Sequence, residues 1–195
     1  MNIWKKCIMT LCPCFLIVGC AKSAYDVKIT EPIIIGKAFY DDYALVLRLY
    51  EGEYRTEYSA GPNFGPNWVG KYDLAIIDIL SGEVIYNYLL KEWGEELLFK
   101  ESVALTLTDY NMDGVLEILI GQYGSQNYNT YNMYYITEAS TIGYYSEIGT
   151  LSISSEDMSP QLEVKNGSIQ YPLYDNSSNT MNMRNIGLDA LLVTP

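Results

Sequence analysis

The sequence predicts an all-β protein. Ala104–Thr108 alternates apolar and polar at period two, and short apolar runs such as Ala44–Tyr50 and Val115–Ile120 recur along the chain, with turn residues such as Ser81-Gly82 and Asn166-Gly167 between them. Tyrosine, which suits half-buried strands, occurs 19 times in 195 residues. The elements follow in chain order.

The first residues precede any strand and read as an export signal. Lys5 and Lys6 lead into an apolar run from Ile8 to Val18, too short to span a bilayer comfortably, which ends in Ile17-Val18-Gly19-Cys20. That tetrapeptide resembles the bacterial lipobox. The resemblance implies a signal peptide over residues 1–19 and a lipidated Cys20 as the first residue of the mature chain. It also implies an extracytoplasmic protein anchored in the cell membrane or outer membrane, with residues 20–32 as anchor and tether. Two or three acyl chains hold far better than one, since each buried CH₂ adds about 0.8 kcal/mol.

The cysteines agree with that reading. Cys7, Cys12, Cys14 and Cys20 all lie in or at the end of this segment, so the mature chain keeps one, whose thiol acylation consumes. The chain has no His. Disulfides, thiol nucleophiles, Ser-His-Asp machinery and imidazole zinc sites are therefore excluded. Processing leaves 195 − 19 = 176 residues, enough for one domain over 33–195. It removes two lysines and no acids, so the charge becomes 10 − 24 = −14. Such a surface repels phosphate backbones and argues against nucleic acid; nothing suggests a nucleotide cofactor.

Strands are expected over Ala44–Tyr50, Tyr72–Ile79 and Val84–Leu90, with Ser81-Gly82 turning between the last two. Gly94 interrupts Glu92–Leu98, which reads as a turn and not a helix. Ala104–Thr108 and Val115–Ile120 read as two more strands, followed by Met133–Thr137, Gly143–Ile148 and Leu162–Val164. Asn166-Gly167 is a strong hairpin signal leading into Ser168–Tyr171, and Asn176–Asn182 reads as a polar mobile loop.

The loop between Thr108 and Val115 carries the chemistry. Asp109, Asn111 and Asp113 place oxygen side chains at alternate positions, Gly114 follows, and Glu117 sits eight residues after the first. Ca²⁺ takes six to eight oxygens at roughly 2.3–2.6 Å, and alternate spacing on a tight turn aims several of them inward. Val115 is placed to offer its backbone carbonyl. A helix-loop-helix calcium site closes with Glu at position twelve, which is Ile120 here, so this loop closes at Glu117. Thr108–Gly121 resembles the FG-GAP/VCBS type of repeat found in calcium-binding β-propeller blades. The resemblance implies a Ca²⁺ cofactor held by Asp109, Asn111, Asp113, Val115 and Glu117. Acidic Asp-Gly turns that bind nothing are the plain alternative.

A repeat of about sixty residues supports a blade-like organisation, with units of about 38–97 and 98–156. Ala44, Leu45, Leu47 and Tyr50 align with Ala104, Leu105, Leu107 and Tyr110; Tyr72, Ile77, Ser81 and Tyr86 align with Tyr131, Ile136, Ser140 and Tyr145. Two units do not fill a closed ring, which usually needs about four blades. The expectation is a reduced or partial β-propeller of antiparallel hairpins, with a partly open assembly or a sandwich as alternatives.

Gly121–Asn132, just after the acidic hairpin, mixes aromatics with amides, and Tyr123, Tyr128 and Tyr131 are the candidate ligand-binding residues. Tyrosines that simply pack on strands are the alternative. The carboxylate pairs Asp73/Asp78, Glu95/Glu96 and Glu156/Asp157 show no feature that sets an acid beside an ionised partner, so an enzyme is not expected. The expectation is a membrane-anchored calcium-binding module with a protein or glycan partner at the envelope. An inhibitor or immunity protein against a cell-wall-degrading enzyme is the alternative, and a carboxylate-dependent glycan-active enzyme ranks below it.

Overall fold

A computed structural model describes residues 27–29, 31–57, 65–123, 129–137, 140–151, 157–175 and 177–187. The residues read from the sequence as signal peptide, Cys20 and most of those read as a tether lie outside them. Among the described residues no helix is long and apolar enough to cross a membrane.

The described chain is almost entirely β, as expected, and its strands are antiparallel with one exception. The first sheet contains β1 (Val27–Lys28), β2 (Ile33–Tyr40), β3 (Tyr43–Arg55), β4 (Asn67–Asp78), β5 (Val84–Leu89), β6 (Leu97–Phe99) and β7 (Val103–Ala104). Its spine runs β5-β4-β3-β2-β7; β1 pairs with the far half of β3 and β6 with the first half of β4. The exception is β7, parallel to β2 through Gly36–Val103 and Lys37–Ala104. The second sheet is β8 (Leu107–Thr108), β9 (Leu116–Tyr123), β10 (Asn129–Ile136) and β11 (Ile142–Leu151), in the order β11-β10-β9-β8. The third is β12 (Glu163–Lys165), β13 (Ser168–Asp175) and β14 (Thr180–Gly187).

Local chemistry sets the hairpins. Between β4 and β5, Asp78 accepts the Ser81 backbone N–H at 2.6 Å and its hydroxyl at 2.8 Å. Between β12 and β13, Asn166 and Gly167 take the two positive φ values, 52° and 72°, that a tight hairpin needs. The 92–98 segment begins with a single 3₁₀ turn, Lys91–Trp93, before entering β6.

Period-two alternation stacks the sheets in three layers. Ile118, Ile120, Tyr134 and Ile136 of the second sheet share one core with Leu45, Leu47, Leu49, Leu74 and Ile76 of the first. Their neighbours Leu119, Tyr131 and Met133 point the other way, into a core with Ile169 of the third sheet and with Tyr110 and Leu162. The middle sheet is thus buried on both faces, which explains the unbroken apolar run Ile118-Leu-Ile120 where one solvated face would need alternation. Burying each such side chain contributes about 1.5–3 kcal/mol.

Two expectations are corrected. Ala104–Thr108 is not one strand: β7 stays in the first sheet, and β8 joins the second after a crossing at Leu105-Thr106, where Ser159 Oγ accepts the Thr106 N–H at 3.1 Å. The chain must leave one layer for the next there, and a short strand cannot serve two sheets. Asn176–Asn182 is not simply a loop, since residues 177–179 form a turn and Thr180 opens β14, paired with Asp175.

The second proposed repeat unit contains the four-stranded antiparallel run β8-β9-β10-β11, whereas the matching run β2-β3-β4-β5 begins at Ile33, ahead of the first unit. Tyr72 and Tyr131 fall on the third strand of their runs, whereas Ala44 and Ala104 fall on different ones, β3 and β7.

Candidate metal centre

β8 and β9 are joined by the 109–115 turn, with Thr108 directly opposite Glu117. Inside the turn the side-chain oxygens face the backbone. Asp109 accepts the N–H groups of Asp113 at 3.1 Å and Gly114 at 3.0 Å, Asn111 Oδ1 accepts Asp113 N–H at 3.2 Å, and Asp113 Oδ1 accepts Val115 N–H at 2.8 Å. Gly114 takes a φ of 86°, a conformation open to glycine at little cost, and Met112 takes 62°. The Asn111 amide donates to Asp113 Oδ2 at 2.8 Å. Asp109, Asn111, Asp113 and Gly114 thus share one small turn.

Glu117 approaches it from beneath. Its side chain is fully buried, facing the core that holds Tyr110 and Leu119. Oε2 accepts the Tyr110 backbone N–H at 2.8 Å, while Oε1 is buried without a hydrogen bond. The carboxyl pKa is pushed up to about 7, first by burial and then by repulsion from Asp113 and Asp109, against the lowering effect of the Tyr110 N–H. The Thr108 hydroxyl across the strand pair is also buried without a hydrogen bond, although it lies beside that of Tyr110. Thr108 is a site residue the sequence did not single out, since alternation alone presents it as an ordinary strand position. Tyr145 forms part of the roof, its hydroxyl held well above its usual range by burial and by Glu117, Asp113 and Asp109.

Among the described residues, no three His, Cys, Asp or Glu side chains already converge as an ion cage. The Asn111 amide oxygen and the backbone carbonyls of the turn are further oxygen donors of the kind suited to Ca²⁺. The donor set is all oxygen, and the accepted N–H bonds leave each carboxylate with spare lone pairs. A buried, half-satisfied Glu117 facing two more acids is the arrangement a divalent cation relieves. The residues present fit such an ion.

The three tyrosines of the candidate binding surface separate. Tyr131 is wholly buried: its hydroxyl is bonded to the Asp157 carbonyl and to the Asn129 amide at 3.0 Å, and its ring packs against Gly121. It therefore presents no face to a ligand. Its inward direction follows from pairing with Gly121, where a Cβ would sit 2.3 Å from the ring. Tyr123 is half-buried and lines a cavity with Trp93, and Tyr128 lies outside the described residues. The carboxylates Asp73 and Asp78 also part ways: Asp73 is buried in a bidentate pair with Arg48 at 2.9 and 2.6 Å, and Asp78 caps a turn. Compared with protein-family models, curated proteins and solved structures, the chain matches none.

Proposed function

We propose that this chain is a lipid-anchored, extracytoplasmic β protein whose 109–117 hairpin holds one Ca²⁺, and that it acts as a binding module at the cell envelope. The observation that carries the reading is the buried Glu117 carboxylate, with one oxygen lacking a partner beside Asp109 and Asp113. Asp109, Asn111, Asp113, the Val115 carbonyl and Glu117 are the residues that would hold the ion. The ion would supply positive charge to this acidic turn and fix its shape. Strand β9 then carries that order from the hairpin to Tyr123 at its other end.

The succession of three sheets packed face to face, two of them containing four-stranded antiparallel runs, supports an open, propeller-like arc of blades. The anchor reading rests on the lipobox resemblance at Ile17–Cys20.

Calorimetric titration of chelator-treated protein with CaCl₂ tests the ion. One saturable site, lost in Glu117→Gln, is expected; heats no larger than dilution would end the calcium reading. A pull-down from envelope extract beside a glycan array then separates a protein partner from a glycan.

A further inference from the structure

The free edge of the first sheet is built differently from the other edges. β5 ends the spine β5-β4-β3-β2-β7, so among the described residues no strand pairs with its outer side. Open edges are commonly blunted by shortness, charge or irregularity. β1, β6, β7 and β8 have two or three residues each, β12 carries the Glu163–Lys165 ion pair, β14 contains Arg184, and β11 contains Glu147 and two register shifts. β5, by contrast, has six residues, Val84-Ile-Tyr-Asn-Tyr-Leu89, with no charge and no proline. Its one register shift lies at its start, against Ile76 and Ile77.

One bond fixes the direction of its backbone groups. The Leu90 N–H donates to the Tyr72 carbonyl of β4 at 3.0 Å. Antiparallel strands turn alternate residues toward the same neighbour, so Tyr88 also faces β4, while Asn87 and Leu89 direct their N–H and C=O groups to the open side. The side chains here are apolar and uncovered: Val84 is 41% and Ile85 46% exposed, and Leu80 in the turn before them 92%. Outward backbone groups and exposed apolar side chains thus meet along one edge.

We propose that this edge pairs with the same edge of a second copy of the chain, antiparallel about a two-fold axis at Tyr88. Asn87 then lies opposite Leu89 of the second copy, and Leu89 opposite its Asn87, which joins the four outward N–H groups to the four outward carbonyls. Charge selects this occupant. Glu83 and Lys91 stand exposed at opposite ends of the edge, and neither has an ion-pair partner among the described residues. Antiparallel self-pairing brings Lys91 of each copy to the Glu83 end of the other, whereas a uniformly acidic or basic foreign strand would satisfy one end and repel the other. The edge is short and the chain carries a formal charge of −12, so the dimer is weak and reversible. The pairing rests on neither the calcium reading nor the anchor reading.

Sedimentation equilibrium of the mature chain carrying Cys20→Ser, from about 10 µM to 1 mM in chelator, tests the proposal. A reversible monomer–dimer equilibrium is expected. Ile85→Lys sets a like charge opposite Lys91 of the second copy and is expected to weaken the dimer roughly tenfold; Ile85→Glu sets an opposite charge there and does not weaken it. General repulsion between acidic copies would give the reverse order, and the exposure of Ile85 lets both variants keep the core. Paired residues of this kind have Cα atoms about 5.5 Å apart, within disulfide range. A mixture of Asn87→Cys and Leu89→Cys chains is therefore expected to cross-link under mild oxidation more than either variant alone. A monomer at every concentration, equal or reversed effects of the two Ile85 variants, or cross-linking no stronger in the mixture would each overturn the proposal.

Discussion

Tyr110 ties Glu117 to the third layer of the protein. Its backbone N–H donates to Glu117 Oε2 at 2.8 Å, and its hydroxyl accepts the N–H of Leu162 at 3.0 Å, just before β12. One residue of the acidic turn thus fixes both the buried carboxylate beneath it and the segment leading to the next sheet. The charge state of Glu117 is therefore felt by packing between the second and third sheets.

Replacing Glu117 with Gln keeps the shape and removes a buried charge that has one partner. In chelator the variant is expected to melt at or above the parent temperature, because it no longer confines an ionised group against Asp109 and Asp113. With excess CaCl₂ the parent rises and the variant does not. Scanning calorimetry of the four samples reads this directly; a variant that still rises with calcium would contradict it.

Stability of the metal-free protein is expected to fall as pH rises from about 4.5 to about 7. The Glu117 pKa is about 7 in the fold against an ordinary 4.5, so between those values the folded chain binds more protons than the unfolded one. Rising pH then favours unfolding, with a penalty absent below the lower value, complete above the upper one, and on the order of 3 kcal/mol. Under the proposed calcium reading the ion would replace the proton, and its affinity is then expected to rise through the same window. Urea unfolding at stepped pH, with Glu117→Gln as control, measures both effects.

Gly121 and Tyr131 pair across β9 and β10, and a Cβ at 121 would lie 2.3 Å from the ring. Gly121→Ala is expected to cost about 1–3 kcal/mol by forcing the ring aside. Tyr131→Phe loses its hydrogen bond to the Asp157 carbonyl and is expected to cost about 1 kcal/mol. Denaturant midpoints check both.

The Arg48–Asp73 pair has side chains 15% and 3% exposed, and Asn87 adds a bond to Asp73 at 3.2 Å. Asp73→Ala leaves the guanidinium buried without its partner and is expected to cost about 3–5 kcal/mol. Glu51–Lys71 is an exposed pair, and Glu51→Ala is expected to cost under about 1 kcal/mol. Equal losses would show that burial is not what separates them.

If Cys20 carries the anchor, Cys20→Ser moves the protein from the membrane to the soluble fraction and abolishes palmitate labelling. Unchanged fractionation would remove the lipid-anchor reading and leave the hairpin untouched.

Much of the β architecture was legible because strand period and turn chemistry agree, as at Asp78–Gly82 and Asn166-Gly167. Alternation does not say which face of a strand meets another layer, so Tyr131 reads as a surface residue although it faces the third sheet. Nor does it show a strand divided between sheets, as at Leu105-Thr106, where each half still alternates. The acidic turn was visible as a spacing of oxygens; that Glu117 is buried and half-satisfied depends on Tyr110 and on layers built elsewhere in the chain. The cavity at Glu92 and Trp93 gave no sequence signal, because Thr130 and Asn132 join it from about forty residues away and each reads as an ordinary strand position.

A crystal structure of the mature chain grown with CaCl₂ asks the most direct question. The account predicts one strong density peak in the hairpin at about 2.3–2.6 Å from oxygens of Asp109, Asn111, Asp113, Val115 and Glu117. A turn that keeps its own hydrogen bonds, with Glu117 Oε1 still unpartnered and no ion at saturating calcium, would contradict it.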